Sequence, residues 1–181
     1  KWWPVLGLTG VKVASGGYKH TAVIIEDPLH RLHSHVFCGD HRSVEGLLGL
    51  VGPVGERHDR FFDRDTSSKD LVNSLNPLSD DEPALVLAAR RGRAVMRGKT
   101  GDMIETIQLL VEAGAAMGAV DGRGRSFVHK CCVGGFVEGL QTAFRSVAGG
   151  WGGGGGGDAN RWVTAADPKG RNGMHLAMLG Q

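Results

Sequence analysis

Charge of one sign is scarce in this chain of 181 residues: 21 Lys and Arg stand against 19 Asp and Glu, a formal net charge of +2. So small an excess does not by itself draw a protein to nucleic acid or an anionic membrane. Cysteine is scarce too. Cys38, Cys131 and Cys132 are an odd number with two adjacent, which excludes a disulfide framework and fits a reducing, cytoplasmic compartment. No apolar run reaches the length of a membrane span, so no transmembrane helix is expected. A basic-then-apolar leader is also missing. With Lys1 at the start and an apolar pattern cut off at Gln181, we expect an internal piece of something longer.

Apolar residues, at 41%, suffice for a real core, and the 22% of charged residues is ordinary for a globular protein. Glycine is plentiful at 30 residues, eight of them in one tract from Gly149 to Gly157 broken only by Trp151.

Four segments resemble one another: Asp27-Pro28-Leu29-His30, Pro83-Ala84-Leu85-Val86-Leu87-Ala88-Ala89, Ser126-Phe127-Val128-His129-Lys130-Cys131-Cys132 and Asn172-Gly173-Met174-His175-Leu176-Ala177. Each opens on a residue that favours a helix start. Gly92 and Gly135 follow two of them at matching distance. Met103, Ile107, Leu110 and Val111 fall at i, i+4, i+7 and i+8, one face of a helix, and Gly114 is placed to end that helix left-handed. Asp121-Gly122-Arg123-Gly124-Arg125-Ser126 and Asp167-Pro168-Lys169-Gly170-Arg171-Asn172 are two copies of one loop, each just before a helix opening.

On these residues the stretch 27–181 resembles the ankyrin repeat, with its Thr-Pro-Leu-His opening, Leu-Ala-Ala continuation, closing Gly-Ala and Asp-x-x-Gly-x-Thr hairpin loop. The resemblance implies an all-α solenoid of helix-turn-helix units with short β-hairpin loops, in which no unit buries its own apolar face and stacking makes the core. The openings are 56, 43 and 46 residues apart, against about 33 for the family. The excess is assigned to insertions at 51–82, 93–101 and 146–159, which carry few apolar residues and can loop into solvent at little closure cost. The last unit is truncated. Residues 1–26 read separately: 11–26 as two short strands about Gly16-Gly17. This part is similar to one strand pair of a regulator-of-chromosome-condensation propeller repeat; the alternative is the remnant of a preceding unit.

Catalytic chemistry is not evident. His30, His33, His35, Cys38 and His41 are five soft ligands within twelve residues, but zinc needs four in tetrahedral geometry and no second pair accompanies them. No metal is therefore expected, and His30 is assigned to the repeat turn. Cys131 and Cys132 stand where the motif has alanines and are expected to pack as small hydrophobes. The tract 152–157 lacks the Gly-Lys-Ser/Thr ending of a phosphate loop and is expected to be a flexible linker.

The expected function is a protein-interaction scaffold, not an enzyme, with no cofactor and no small-molecule substrate. Carried over from the family by position, the contact residues are Arg90, Arg91, Gly122, Arg123, Arg125, Val133, Lys169 and Arg171; six of the eight are basic. That bias implies a partner protein with an acidic surface, not nucleic acid or a membrane. Arg90-Arg91 read equally well as a solvated helix end. The alternative function is a structural segment of a larger multidomain protein whose activity lies elsewhere.

Overall fold

The computed structural model describes residues 11–16, 21–25, 28–49, 68–76, 80–95, 100–149 and 155–179. Strands β1 (Val11–Gly16) and β2 (Thr21–Ile25) form an antiparallel hairpin, Gly16 opposite Thr21 and Val11 opposite Ile25, with one irregularity between Val11 and Val13. The two strands expected about Gly16-Gly17 are therefore present.

The rest is mostly helical. Helix α1 (Pro28–Cys38) is followed by α2 (His41–Leu48), then α3 (Ser68–Asn73). A two-residue antiparallel pair, β3 (Leu75–Asn76) and β4 (Glu82–Pro83), leads into α4 (Ala84–Val95) and α5 (Thr100–Glu112). Then come α6 (Phe127–Gly134), α7 (Val137–Gly149), α8 (Gly155–Thr164) and α9 (Gly173–Leu179). The helices lie in two rows. In one, α1 packs on α4, α4 on α6 and α6 on α9; in the other, α2 packs on α5, α5 on α7 and α7 on α8. Contacts of α1 with α2, α4 with α5 and α6 with α7 join the rows.

The core fills the space between the rows. Met103, Ile107 and Leu110 are fully buried on the predicted face of α5, and Gly114 follows it at φ +91°. Helix α4 is central. Its residues from Ala84 to Ala89 are all buried, because α1 and α6 cover it on two sides; a helix covered in this way has an apolar surface nearly all round. Each fully buried Leu, Val or Phe contributes about 1.5–3 kcal/mol. Phe136, at the turn into α7, is completely enclosed, its ring edge against Gly92 of α4 and Gly139 of α7.

Parts of the three stretches assigned to insertions are helix or strand. Within 51–82, α3 buries Leu71 and Val72 in the core, and β3–β4 form the hairpin that opens α4; residues 51–67 lie outside the described ones. In 93–101, helix continues through Val95 and resumes at Thr100. In 146–159, α7 extends to Gly149 and α8 begins at Gly155, so residues 155–157 of the glycine tract are helical instead of linker. Glycine disfavours helix by about 1 kcal/mol per residue. Here Trp162 of α8 packs on the core and stacks on Phe144 of α7, centroids 6.2 Å apart. Among the described residues no helix is long and apolar enough to cross a membrane.

Candidate functional site

The two loops expected from sequence share one hydrogen-bond pattern. The Asp121 carboxylate accepts from the backbone N–H of Arg123 (3.0 Å) and Arg125 (2.9 Å), and that of Asp167 accepts from Lys169 and Arg171, both at 2.9 Å. A short aspartate side chain two and four residues ahead of its donors closes the loop without help from elsewhere. Gly124 and Gly170 take φ +71° and +74° at the same place in each loop.

Each loop is then pinned by a histidine. His129 Nδ1 accepts from Ser126 N–H, which leaves Nε2–H to donate to the Arg171 carbonyl of the next loop (3.2 Å). His175 Nδ1 accepts from Asn172 N–H in the same way. One pair earlier, His33 Nε2 donates to the Glu82 carbonyl at 3.0 Å. Glu82 precedes Pro83 as Arg171 precedes Asn172, and Gly39 follows His33 by the same six residues that separate Gly135 from His129. His33 thus stands to Gly39 and Glu82 as His129 stands to Gly135 and Arg171. The His30 side chain, to which the sequence reading gave the repeat turn, lies outside the described residues.

The loops also abut. Gly122 N–H donates to the Asp80 carbonyl at 2.6 Å, an approach so close that a Cβ at Gly122 would lie 2.7 Å from that oxygen. A Cβ at Gly124 would meet the Pro168 ring at 2.5 Å. Asp80 and Asp81, at φ +59° and +52°, turn the β3–β4 hairpin so that three loop tips stand in a row. Asp80 and Asp81 were missed in the sequence because they fell inside an assigned insertion.

Most of the expected contact residues in this row are bound to the protein itself. Arg90 grips the buried Glu82 carboxylate with two bonds, Nε to Oε1 at 3.0 Å and Nη2 to Oε2 at 2.8 Å. Lys130 reaches the same carboxylate at 3.8 Å and pairs with Asp121 at 2.6 Å. Arg91 donates to the Phe37 carbonyl and lies 3.9 Å over the Phe37 ring, against α1. Arg123 pairs with Asp80 at 2.7 Å, although its side chain is 70% exposed. Arg171 grips Asp167 at 3.0 and 2.7 Å. Val133 is half-buried on α6. Among the described residues, only Arg125 and Lys169 of the six expected cations form no ion pair or side-chain hydrogen bond. Neither Glu82 nor Lys130 was singled out from sequence: the network they make joins residues 48 apart.

These contacts set the acid–base behaviour. Burial drives the Asp121 carboxyl upward, but hydrogen bonds from Lys130 and the backbone of Arg125 and Arg123 outweigh it and hold it below its ordinary value. The Arg171 guanidinium, followed by its backbone N–H, holds Asp167 far below the usual carboxylate range. Cys131 is the reverse case. Burial, with a smaller push from Cys132, drives its thiol well above the ordinary value, and Cys132 is raised by burial too. A thiol held protonated is a poor nucleophile, and His129 is committed to Ser126 and Arg171.

Among the described side chains, the histidine-rich run is dispersed by the fold. His33 is bound to Glu82, His35 pairs with Asp40 at 3.3 Å, and His41 faces Asp102 and Glu105 of α5; Cys38 is exposed, and the His30 side chain lies outside the described residues. Among the described residues no buried side-chain polar atom lacks a partner. No family model matches this sequence, and no curated protein matches it.

Proposed function

We propose that this chain is a non-catalytic protein-interaction module of ankyrin type, and that its row of loop tips receives the partner. The supporting observation is the recurrence, bond for bond, of the 121–126 loop at 167–172, with the two in edge-to-edge contact. A row of equivalent, internally braced loops presents side chains on a rigid base, and rigid presentation lowers the ordering cost of binding. The partner's acidic patch sits over Arg125 and Lys169, the cations free to answer it. Asp81, beside the Arg123–Asp80 pair, gives the far end of the row the opposite sign, which fixes orientation. The free thiols of Cys38, Cys131 and Cys132 support a reducing, cytoplasmic setting for this module.

A second reading is a structural segment of a larger protein. It is favoured by the pairing of Arg90, Arg123 and Arg171 with the chain's own carboxylates. An array of immobilised acidic peptides, polyglutamate among them, separates the two. Binding that is lost in Arg125→Glu/Lys169→Glu, with thermal stability unchanged, supports recognition. Absence of binding, or binding indifferent to that variant, supports the structural segment.

A further inference from the structure

The row of second helices carries a cluster of different character. His41 opens α2, and its ring faces the first two turns of α5, with Nε2 3.0 Å from Glu105 Oε2 and Nδ1 3.8 Å from Asp102 Oδ1. One ligand atom from each of the three lies within 4.8 Å of the others. Asp102 and Glu105 are three residues apart and so share a face of α5. The chain entering α2 lies close to the same face of α5: a Cβ at Gly39 would be 3.5 Å from Met103 Cε and 4.0 Å from Asp102 Cβ.

We propose that His41, Asp102 and Glu105 form a divalent transition-metal site that clamps α2 to α5. Two carboxylates and one imidazole supply two negative charges and three donors of the types that zinc accepts, and imidazole favours Zn²⁺, Co²⁺ and Ni²⁺ over Mg²⁺ or Ca²⁺. Bond lengths of about 2.0–2.2 Å put tetrahedral ligand atoms roughly 3.4 Å apart. Only one ring nitrogen can hold the ion, so the carboxylate now beside the other nitrogen must swing across to it; both carboxylates, 41% and 57% exposed, have the room to do so. That exposure also leaves room for water to complete the coordination sphere. The ligands come from α2 and α5, remote in sequence, so the ion ties the first helix pair to the second and leaves the loop row untouched.

The test uses the full chain with Zn²⁺ alone, by titration calorimetry and thermal melting, and Co²⁺ as an absorbance probe. One equivalent of Zn²⁺ should bind and raise Tm, since a ligand that binds only the folded state stabilises it. His41→Ala should weaken binding roughly tenfold or more, because even changes to groups that merely orient a metal ligand cost about 10–100-fold. The isosteric pair Asp102→Asn/Glu105→Gln should do the same and keeps the test usable should His41→Ala fail to fold. Cys38→Ser should bind as the parent does. The proposal is overturned by absence of saturable binding to the parent chain, by binding that survives in the isosteric pair, or by loss of binding in Cys38→Ser.

Discussion

Gly92 sits inside α4, where alanine is the better helix former by about 1 kcal/mol. On propensity alone, Gly92→Ala should therefore stabilise the protein. The packing says the opposite. A Cβ at Gly92 would lie 2.2 Å from both Cδ1 and Cε1 of Phe136, whereas carbon atoms rest about 3.5–4.0 Å apart. The ring would have to retreat by more than an ångström, yet Phe136 is 0% exposed and Gly139 bounds it on another side, with its own would-be Cβ 2.3 Å from the ring. Overpacking of a closed core costs about 1–3 kcal/mol and occasionally more; a clash this close belongs at the upper end, so after the helix gain of about 1 kcal/mol the net expectation for Gly92→Ala is a loss of about 2 kcal/mol. Urea unfolding followed by far-UV circular dichroism reads this as a lower midpoint at unchanged slope. Phe136→Leu removes the clashing ring atoms, so adding Gly92→Ala to Phe136→Leu should cost clearly less than adding it to the parent, a coupling that neighbours in contact show at about 0.5–3 kcal/mol. A Gly92→Ala protein as stable as the parent, or more so, would refute the slot and leave the glycine without a packing role.

The buried ion network should respond in its own way. Lys130→Met strands Asp121, which is 2% exposed, and removing one partner of a buried pair costs about 3–5 kcal/mol at the upper end; the backbone donors of Arg123 and Arg125 reduce the loss. A melting temperature within a degree of the parent would refute it. Asp40, Asp121 and Asp167 all have carboxyls held below their ordinary values in the folded protein. Their stabilisation is therefore complete above the usual carboxylate range, about pH 4, and is lost as pH falls through the depressed folded values. Asp121→Asn should be less stable at neutral pH and show a shallower acid limb, checked by unfolding midpoints between about pH 2 and 7. His33→Ala should cost about 1–3 kcal/mol by removing a buried bond to the Glu82 carbonyl, whereas His35→Ala, half-buried and paired with the part-exposed Asp40, should cost less than about 1 kcal/mol; equal effects at the two positions would refute the weight given to the His33–Glu82 bond.

What was legible in the sequence was local. The α5 face, the left-handed glycine after it and the paired loops each depend on residues within a dozen positions of one another, so periodicity and turn chemistry carried them. Helix α3 was hidden because only Leu71 and Val72 mark its buried side, and they stand in a stretch otherwise rich in charge. Helix α8 was hidden because its first residues are glycine; what supports it is Trp162 against Phe144, a contact with another element.

The expected contact surface shows the same limit in charge. Six cations at matched positions read as a basic strip, but a cation's availability is set by the carboxylate that tertiary structure brings to it. Glu82 lies eight residues before Arg90 and Asp80 lies 43 before Arg123, and nothing in either spacing announces a pair. Only the Asp167–Arg171 bond was within local reach, at the i, i+4 distance, and there the loop aspartate had already been given a backbone role. It fills both: Oδ1 accepts from the loop amides while Oδ2 binds the guanidinium. Asp121 divides its oxygens in the same manner, Oδ1 to the loop and Oδ2 to Lys130. Each loop aspartate therefore neutralises a cation at its own base, and of the six expected cations this geometry leaves Arg125 and Lys169 without an ion pair or side-chain hydrogen bond among the described residues.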